Sequence, residues 1–220
     1  MDWHIVRASV TLVSATLHVR RLFLAILSIS FFWAMGAVLA AQFPPLVKNV
    51  FYANQSVATL FLAVFSVGVA IGSVAINRML KGQVSARFAP SSALMMGVFV
   101  LLLYVLAKDW SASPELVGTR EFLRHPLGWA VVLDLLGIAI AGGMFVVPLY
   151  AFLTTTVPKS ETARTIAANN IVNSGLMVAA TLILTAAVQL GVTVADSLLI
   201  VAIASIISAW LGWKLHVARD

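Results

Sequence analysis

Residues 134–174 read DLLGIAIAGGMFVVPLYAFLTTTVPKSETARTIAANNIVNS. Two apolar runs flank a short charged loop, so the stretch predicts two membrane-spanning helices joined by a tight connection. A carboxylate, a glycine pair, a proline and three asparagines interrupt the apolar residues. Because hydrocarbon solvates none of these polar groups, we expect them to pack helices together or to line a pathway.

The composition of the whole chain extends this interpretation. The 220 residues are 61% hydrophobic and 10% charged, whereas soluble domains carry roughly 25% charged residues. The chain therefore belongs in a lipid bilayer. Its net charge of +6 comes from basic residues beside the apolar runs, which indicates an anionic membrane surface and not nucleic acid. Cysteine is absent and the four histidines lie outside the apolar runs, so we predict no metal site and no cofactor.

Six apolar runs are long enough to approach or exceed the length of a membrane span. They are Leu22–Ala41, Val57–Ile76, the interval between Arg87 and Lys108, Leu127–Leu153, Thr165–Val188 and Ser197–Trp213. The predicted fold class is therefore an all-α membrane protein with six transmembrane helices. We expect Pro44 and Pro45 to end the first helix, because proline cannot donate a backbone hydrogen bond.

The chain divides into a basic segment, residues 1–21, and a six-helix transmembrane domain, residues 22–220. The basic segment predicts a short interfacial helix, with a disordered basic tail as the alternative. Ten lysines and arginines fall on the side of the termini and four on the other side. By the positive-inside rule both termini are predicted to be cytoplasmic. Two triples of spans start from opposite sides, which permits a 3+3 inverted repeat.

Small residues mark predicted close contacts between helices. Gly68 and Gly72 lie four residues apart in the second run, and the fourth run repeats this spacing with the pairs Gly137/Ala141 and Ala139/Gly143. This spacing favours close approach of two helix backbones. A sliding contact between moving helices is a compatible functional interpretation. Pro148 predicts a kink, which with the nearby Gly142 and Gly143 forms either a hinge or a static bend.

Asp134 is the one charged residue inside the six runs. A carboxylate in hydrocarbon costs about 2.5–3.5 kcal/mol on insertion scales, so we expect it to have a specific role. It is a candidate coupling site that gains and loses a proton, or a counter-ion for the ammonium group of a substrate. A structural alternative is a cap or hydrogen bond to a neighbouring helix.

The remaining polar candidates are amides and one indole. Asn169 and Asn173 lie four residues apart and share a helix face, whereas Asn170 lies on the adjacent face with Ser174. These amides either contact a lipid headgroup or hold helices together. Gln42 and Trp33 are further candidates for lining a cavity.

The loop GSVAINRMLKGQVSAR, residues 72–87, resembles the signature loop between the second and third helices of each half of the major facilitator superfamily. Gly72, Arg78, Lys81 and Arg87 are in keeping with that loop. Asn77 stands where the family has an acidic residue, so the resemblance does not carry over the charge relay of that residue.

A stronger resemblance begins at the glycine pair. GGMFVVPLYAFLTTTVPKSETARTIAANNIVNS, residues 142–174, closely resembles the bacterial lysophospholipid transporter branch of the same superfamily. RRLFLAILSISFFWAMGAVLAAQFPPLV, residues 20–47, resembles the seventh helix of that branch. The resemblance implies that this chain is the C-terminal six-helix half. Its expected partner is an N-terminal half encoded elsewhere, or a second copy of the chain.

The resemblance also implies a role. Members of that branch move lysophospholipids across the bacterial inner membrane for reacylation, and some are fused to an acyltransferase. The expected function is therefore lysophospholipid transport by alternating access, with an acyltransferase as a possible partner. The alternatives are half of a drug or small-solute exporter, or a membrane anchor for an acyltransferase complex that transports nothing. We predict no enzymatic activity, because no nucleophile, base and oxyanion donor converge in the sequence.

Overall fold

The computed structural model describes residues 19–218 except 112 and 114. Its helices are α1 (Arg20–Asn49), α2 (Gln55–Met79), α3 (Ala89–Lys108), α4 (Thr119–Arg124), α5 (Gly128–Thr155), α6 (Lys159–Gln189) and α7 (Val194–Val217). All except α4 are long and apolar enough to cross a membrane. This confirms the predicted all-α, six-span fold class. The interfacial helix predicted for residues 1–21 falls mainly on residues 1–18, which lie outside the described residues.

The predicted end of the first helix is wrong. Helix α1 continues through Pro44 and Pro45 and ends at Asn49. Each proline removes the backbone hydrogen bond to the carbonyl four residues earlier, here those of Ala40 and Ala41. Both alanines are exposed, and a membrane helix tolerates proline where such carbonyls find other partners. The fifth run also starts earlier than predicted, because α6 begins at Lys159 directly after Pro158.

The packing of the six long helices has an internal symmetry. The principal contacts join α2 to α5, α3 to α7, α1 to α6, α3 to α5, α1 to α7 and α1 to α5. Exchanging α1, α2 and α3 with α5, α6 and α7 leaves this set unchanged. Burial follows the same exchange, since α1 and α5 are the most buried spans and α2 and α6 the most exposed. This is the arrangement that a 3+3 inverted repeat produces.

Helices α2 and α5 approach each other through their glycines. A Cβ added at Gly72 would collide with the carbonyl of Ile140, and one at Gly68 would collide with Ala139. From the other side, a Cβ at Gly143 would meet the backbone of Val69 and Ser73. Gly68, Gly72 and Gly143 therefore lie at a close contact between α2 and α5. Gly142 instead faces the ring of Phe32 on α1.

The two ends of the bundle differ in character. At one end, which we call the basic end, eight of the described residues are cationic: Arg20, Arg21, Arg78, Lys81, Arg87, Lys159, Arg164 and Lys214. The opposite, aromatic end is closed by a cluster in which Trp110 stacks on His125, with ring centroids 3.8 Å apart, and packs against Phe51 and Phe122. An ion pair between Lys108 and Asp196, 2.9 Å, ties α3 to α7 there.

We predict that Gly72→Ala lowers the free energy of unfolding by about 1–3 kcal/mol, because the new methyl group must push α2 away from α5. Gly175→Ala is the matched control, since a Cβ at Gly175 on α6 meets nothing within 4 Å. The measurement is thermal unfolding of the purified protein in detergent, followed by tryptophan fluorescence. Equal effects of the two substitutions would contradict the glycine contact.

Candidate functional site

A network of four polar side chains joins α1, α5 and α6. The Ser30 hydroxyl donates to Asn173 Oδ1 at 2.6 Å. The Tyr150 hydroxyl accepts from Trp33 Nε1 at 2.8 Å and from Asn173 Nδ2 at 3.5 Å. Ser30 and Asn173 are buried, whereas Trp33 is 40% exposed. The network therefore runs from the interior of the bundle to its surface.

The network lies nearer the basic end than the aromatic end. Ser30 is ten residues from the start of α1 and Tyr150 five residues from the end of α5. Asn173 is fourteen residues from the start of α6. At 1.5 Å per residue these positions lie roughly 7–21 Å from their helix ends. Part of the network is therefore placed within the apolar part of the spans, where polar side chains gain from pairing with each other.

An apolar cavity of about 440 Å³ adjoins the network. Trp33 belongs to both, and the other walls include Gly36, Ala40, Phe65, Val69 and Met177. This volume is in the range of small-molecule sites, about 300–1,000 Å³. All the lining side chains apart from the indole N–H are apolar, and that N–H is already bonded to Tyr150. The cavity thus offers an apolar volume beside a polar anchor.

The three asparagines of α6 differ in burial. Asn169 and Asn173 are both buried, and Asn170 is exposed. Asn169 is 0% exposed, and neither its Oδ1 nor its Nδ2 has a hydrogen-bond partner among the described residues. Leaving such a group unsatisfied costs about 1–3 kcal/mol. The Asn173 side chain is hydrogen-bonded to Ser30 on α1 and to Tyr150 on α5, so it links α6 to both helices.

Asp134 is placed apart from the asparagines. It lies sixteen residues before Tyr150 on α5, which is about 24 Å along the helix axis. Its side chain is 3% exposed, and neither carboxylate oxygen has a hydrogen-bond partner in the part of the chain that is described. The structure therefore does not bring Asp134 and the amide network into a single site.

Gln42 lies at the level of Asp134. The rings of Phe32 on α1 and Phe145 on α5 are in contact, with centroids 5.8 Å apart. Gln42 follows Phe32 by ten residues and Asp134 precedes Phe145 by eleven. Since α1 and α5 run in opposite directions, both side chains lie about 15–16 Å from that contact, towards the aromatic end. Gln42 is buried, 5% exposed, so the predicted candidates form two groups.

The segment of residues 72–87, at the end of α2 and in the connection to α3, is stabilised by contacts within and beside it. The Arg87 guanidinium donates to the Met79 carbonyl at 3.3 Å and lies 4.5 Å from the centre of the Phe88 ring. Lys81 has a φ of 52° and Gly82 a φ of 74°, which reverse the chain between α2 and α3. Asn77 contributes its backbone carbonyl, which accepts from the Gly82 N–H at 3.2 Å. Asn77, Arg78, Lys81 and Arg87 are all exposed.

Helix α5 runs without interruption through Pro148, which is buried. The glycines beside it are packed, Gly142 near Phe32 and Gly143 against the backbone of α2. Their packing role is established by these contacts, while the hinge remains a prediction.

Sequence reasoning missed Ser30 and Tyr150. Both lie in apolar runs and belong to no motif, and serine and tyrosine are common in membrane helices. A usable signal existed, because each polar side chain in a span needs a partner and few polar residues in the neighbouring runs can supply one. Among the residues that the structure describes, no three His, Asp or Glu side chains lie close enough to share a metal ion.

No protein-family model matches this chain, and no characterised protein or solved structure is significantly similar to it. The resemblance to the lysophospholipid transporter branch therefore depends on the quoted residues alone.

We predict that Asn173→Ala lowers the free energy of unfolding by about 0.6–1.7 kcal/mol, between the average and the largest value measured for hydrogen bonds between membrane helices. Asn170→Ala is the matched control, because its exposed amide has no hydrogen-bond partner among the described residues. Thermal unfolding in detergent measures both. If the Asn170 substitution is as damaging as the Asn173 substitution, the network does not join the three helices.

Proposed function

We propose that this chain is one six-helix half of a major facilitator-type transporter that moves a lysophospholipid across the bacterial inner membrane by alternating access. The observation that carries the proposal is the polar network beside the apolar cavity. A lysophospholipid has one acyl chain and one polar headgroup, and it needs an apolar volume and hydrogen-bonding groups side by side. Trp33 stands at the boundary between the two.

The chemistry of the network suits a headgroup. The Tyr150 hydroxyl and the Asn173 amide offer donors and acceptors without net charge, and the Trp33 indole N–H holds the Tyr150 hydroxyl in place. Such groups contact phosphate, glycerol and amine groups of a lipid without the cost of burying an unpaired ion. The adjoining cavity takes the acyl chain in this proposal.

The proposal requires a second half. Helices α2 and α6 are the least buried spans, and on α6 the side chains of Asn170 and Ser174 are exposed without partners among the described residues. Polar groups facing lipid are costly. We propose that a missing N-terminal half, or a second copy of this chain, covers α2 and α6 and encloses the pathway.

The proposed orientation follows the distribution of charge. Of the described cationic residues, eight lie at the basic end and four at the aromatic end, namely Lys48, Lys108, Arg120 and Arg124. The positive-inside rule then places the basic end, with both termini, in the cytoplasm. An acyltransferase that uses the delivered lysophospholipid would act on this side. The chain itself is proposed to transport and not to catalyse.

A transport assay tests this function. The protein, purified from its native membrane with any chain that co-purifies, is reconstituted into vesicles with fluorescent lysophosphatidylethanolamine in one leaflet. We expect protein-dependent transfer to the other leaflet. Transfer no faster than in protein-free vesicles would overturn the substrate claim and leave the exporter and the membrane anchor as alternatives. Export of a small drug at a higher rate than the lipid would favour the exporter.

Within the same assay, Tyr150→Phe removes one hydroxyl from the network. Loss of a hydrogen bond worth about 1 kcal/mol predicts about a fivefold lower transport rate at limiting substrate. Tyr52→Phe is the control, because Tyr52 lies in the loop between α1 and α2, outside the network. Unchanged transport by the Tyr150 variant would separate the network from substrate binding.

Asp134 is proposed as the coupling carboxylate. Asp134→Asn is expected to remove the response of transport to an imposed pH gradient. Asp134→Leu is expected to stop coupled transport and to raise the free energy of unfolding by about 1–3 kcal/mol, because it replaces a buried carboxyl group that has no hydrogen-bond partner among the described residues with an apolar side chain. Transport rates in vesicles and thermal unfolding measure the two effects. If Asp134→Asn keeps both the wild-type rate and its pH response, Asp134 is not the coupling group.

A further inference from the structure

A second cavity lies at the basic end, where α1, the α5–α6 loop and α6 meet. Its volume is about 200 Å³, and its walls include Leu22, Thr156, Pro158, Glu161, Arg164 and Thr165. We call it the α6 cavity. We propose that it binds a zwitterionic lipid headgroup, with Glu161 facing the cationic amine and Arg164 the phosphate. In naming the headgroup this inference rests on the proposed transport of a lysophospholipid, but its binding test does not require transport.

The two charged residues of the α6 cavity do not pair with each other. Glu161 and Arg164 are three residues apart on α6, a spacing at which opposite charges commonly form an ion pair. No ion pair or side-chain hydrogen bond involves either residue within residues 19–218 as described. Both are exposed and both line the same cavity. Each charge is therefore available to a ligand that carries the opposite charge.

The carboxylate is unusual in this part of the molecule. Among the described residues, the basic end has eight cationic side chains, and Glu161 is the one acidic residue beside them. Cationic residues alone would suffice to attract an anionic headgroup. A carboxylate within the same cavity repels such a headgroup and attracts a ligand with both an ammonium and a phosphate. Selectivity between two ligands comes from such repulsion as much as from attraction.

The α6 cavity and the polar network lie along one face of α6. Thr165, in the cavity wall, is 3% exposed; Asn169 follows four residues later and Asn173 eight residues later. These steps are about 6 and 12 Å along the axis. The unpartnered amide of Asn169 thus lies between the cavity and the network. A headgroup moving between them passes the one fully buried amide that has no partner in the described part of the chain.

Glu161 also lies in the first turn of α6, where a carboxylate interacts favourably with the helix dipole. If this were its only role, Glu161→Gln would change the stability of the protein by the same amount whichever lipid is present. If Glu161 contacts a headgroup, the effect of Glu161→Gln depends on which lipid is present. The experiment therefore compares lipids and not only variants.

Binding is measured by native mass spectrometry of the purified assembly in maltoside micelles. The probes share one palmitoyl chain and are lysophosphatidylethanolamine, lysophosphatidylglycerol and monopalmitoylglycerol, which are zwitterionic, anionic and uncharged. We expect the zwitterionic lipid to bind about fivefold more tightly than the anionic one, the upper range for an exposed ion pair. Glu161→Gln removes this preference, and Arg164→Gln weakens both phospholipids but not the glycerol lipid.

Two controls sharpen the test. Lys159→Gln removes an exposed cation from the same turn of α6, outside the cavity walls, and is expected to leave the preference unchanged. The double variant Glu161→Arg, Arg164→Glu keeps one charge of each sign and is expected to retain the preference that Glu161→Gln loses. Two results would overturn the α6 cavity as a headgroup site. One is that the single variants weaken binding of the uncharged lipid as much as binding of the phospholipids. The other is that the wild type binds the anionic lipid more tightly than the zwitterionic one.

The outcome is distinguishable from failure of the proposed function. If vesicles show no lipid transport but the headgroup preference depends on Glu161 and Arg164, the cavity is a lipid site on a protein of another function. If transport occurs and the preference is insensitive to both residues, the transport proposal stands and the α6 cavity is rejected.

Discussion

The contact between α2 and α5 is the constraint on which the bundle depends. Lipid tails are as apolar as leucine, so packing and not the hydrophobic effect holds membrane helices together. Gly68 and Gly72 let the backbone of α5 approach α2 until a side chain no longer fits between them. With one side of α5 occupied in this way, its other sides pack on α1 and α3. Phe99 against Gly137 and Phe32 against Gly142 fill the remaining space with aromatic rings.

The sequence predicts the spans well because hydrocarbon leaves few alternatives for the backbone. Each apolar run had to become a helix, and the spacing of Gly68, Gly72 and Gly143 predicted their contacts. The end of α1 was not predictable in the same way. Proline removes one hydrogen bond from a helix. Whether the helix continues depends on which other group bonds the freed carbonyl, and the local sequence does not reveal that group.

The candidate site was predictable only in part, for a related reason. Asn173 and Trp33 were identified as polar or amphipathic residues in spans, but their partners Ser30 and Tyr150 lie 143 and 117 residues from them. Such pairs form only after the helices are arranged. The separation of Asp134 from the asparagines has the same origin, since depth in the membrane depends on where each helix begins. Sequence patterns predict the helix face on which a residue lies more readily than its depth in the membrane.

The lengths of α1 and α6 have a further consequence. These neighbours have 30 and 31 residues, about 45 Å each, whereas α3 has 20 residues and just matches a hydrocarbon layer of about 30 Å. Even at a tilt of about 40°, the two long helices would span roughly 35 Å. The extra turns of both helices carry charged side chains, Arg20 and Lys48 on α1 and Lys159 and Glu161 on α6, so they belong in the headgroup layers and not in the hydrocarbon. One flank of the bundle therefore reaches further into the headgroup layers than the other. A lipid headgroup beside that flank meets protein side chains, whereas one beside α3 meets mainly water and other lipids.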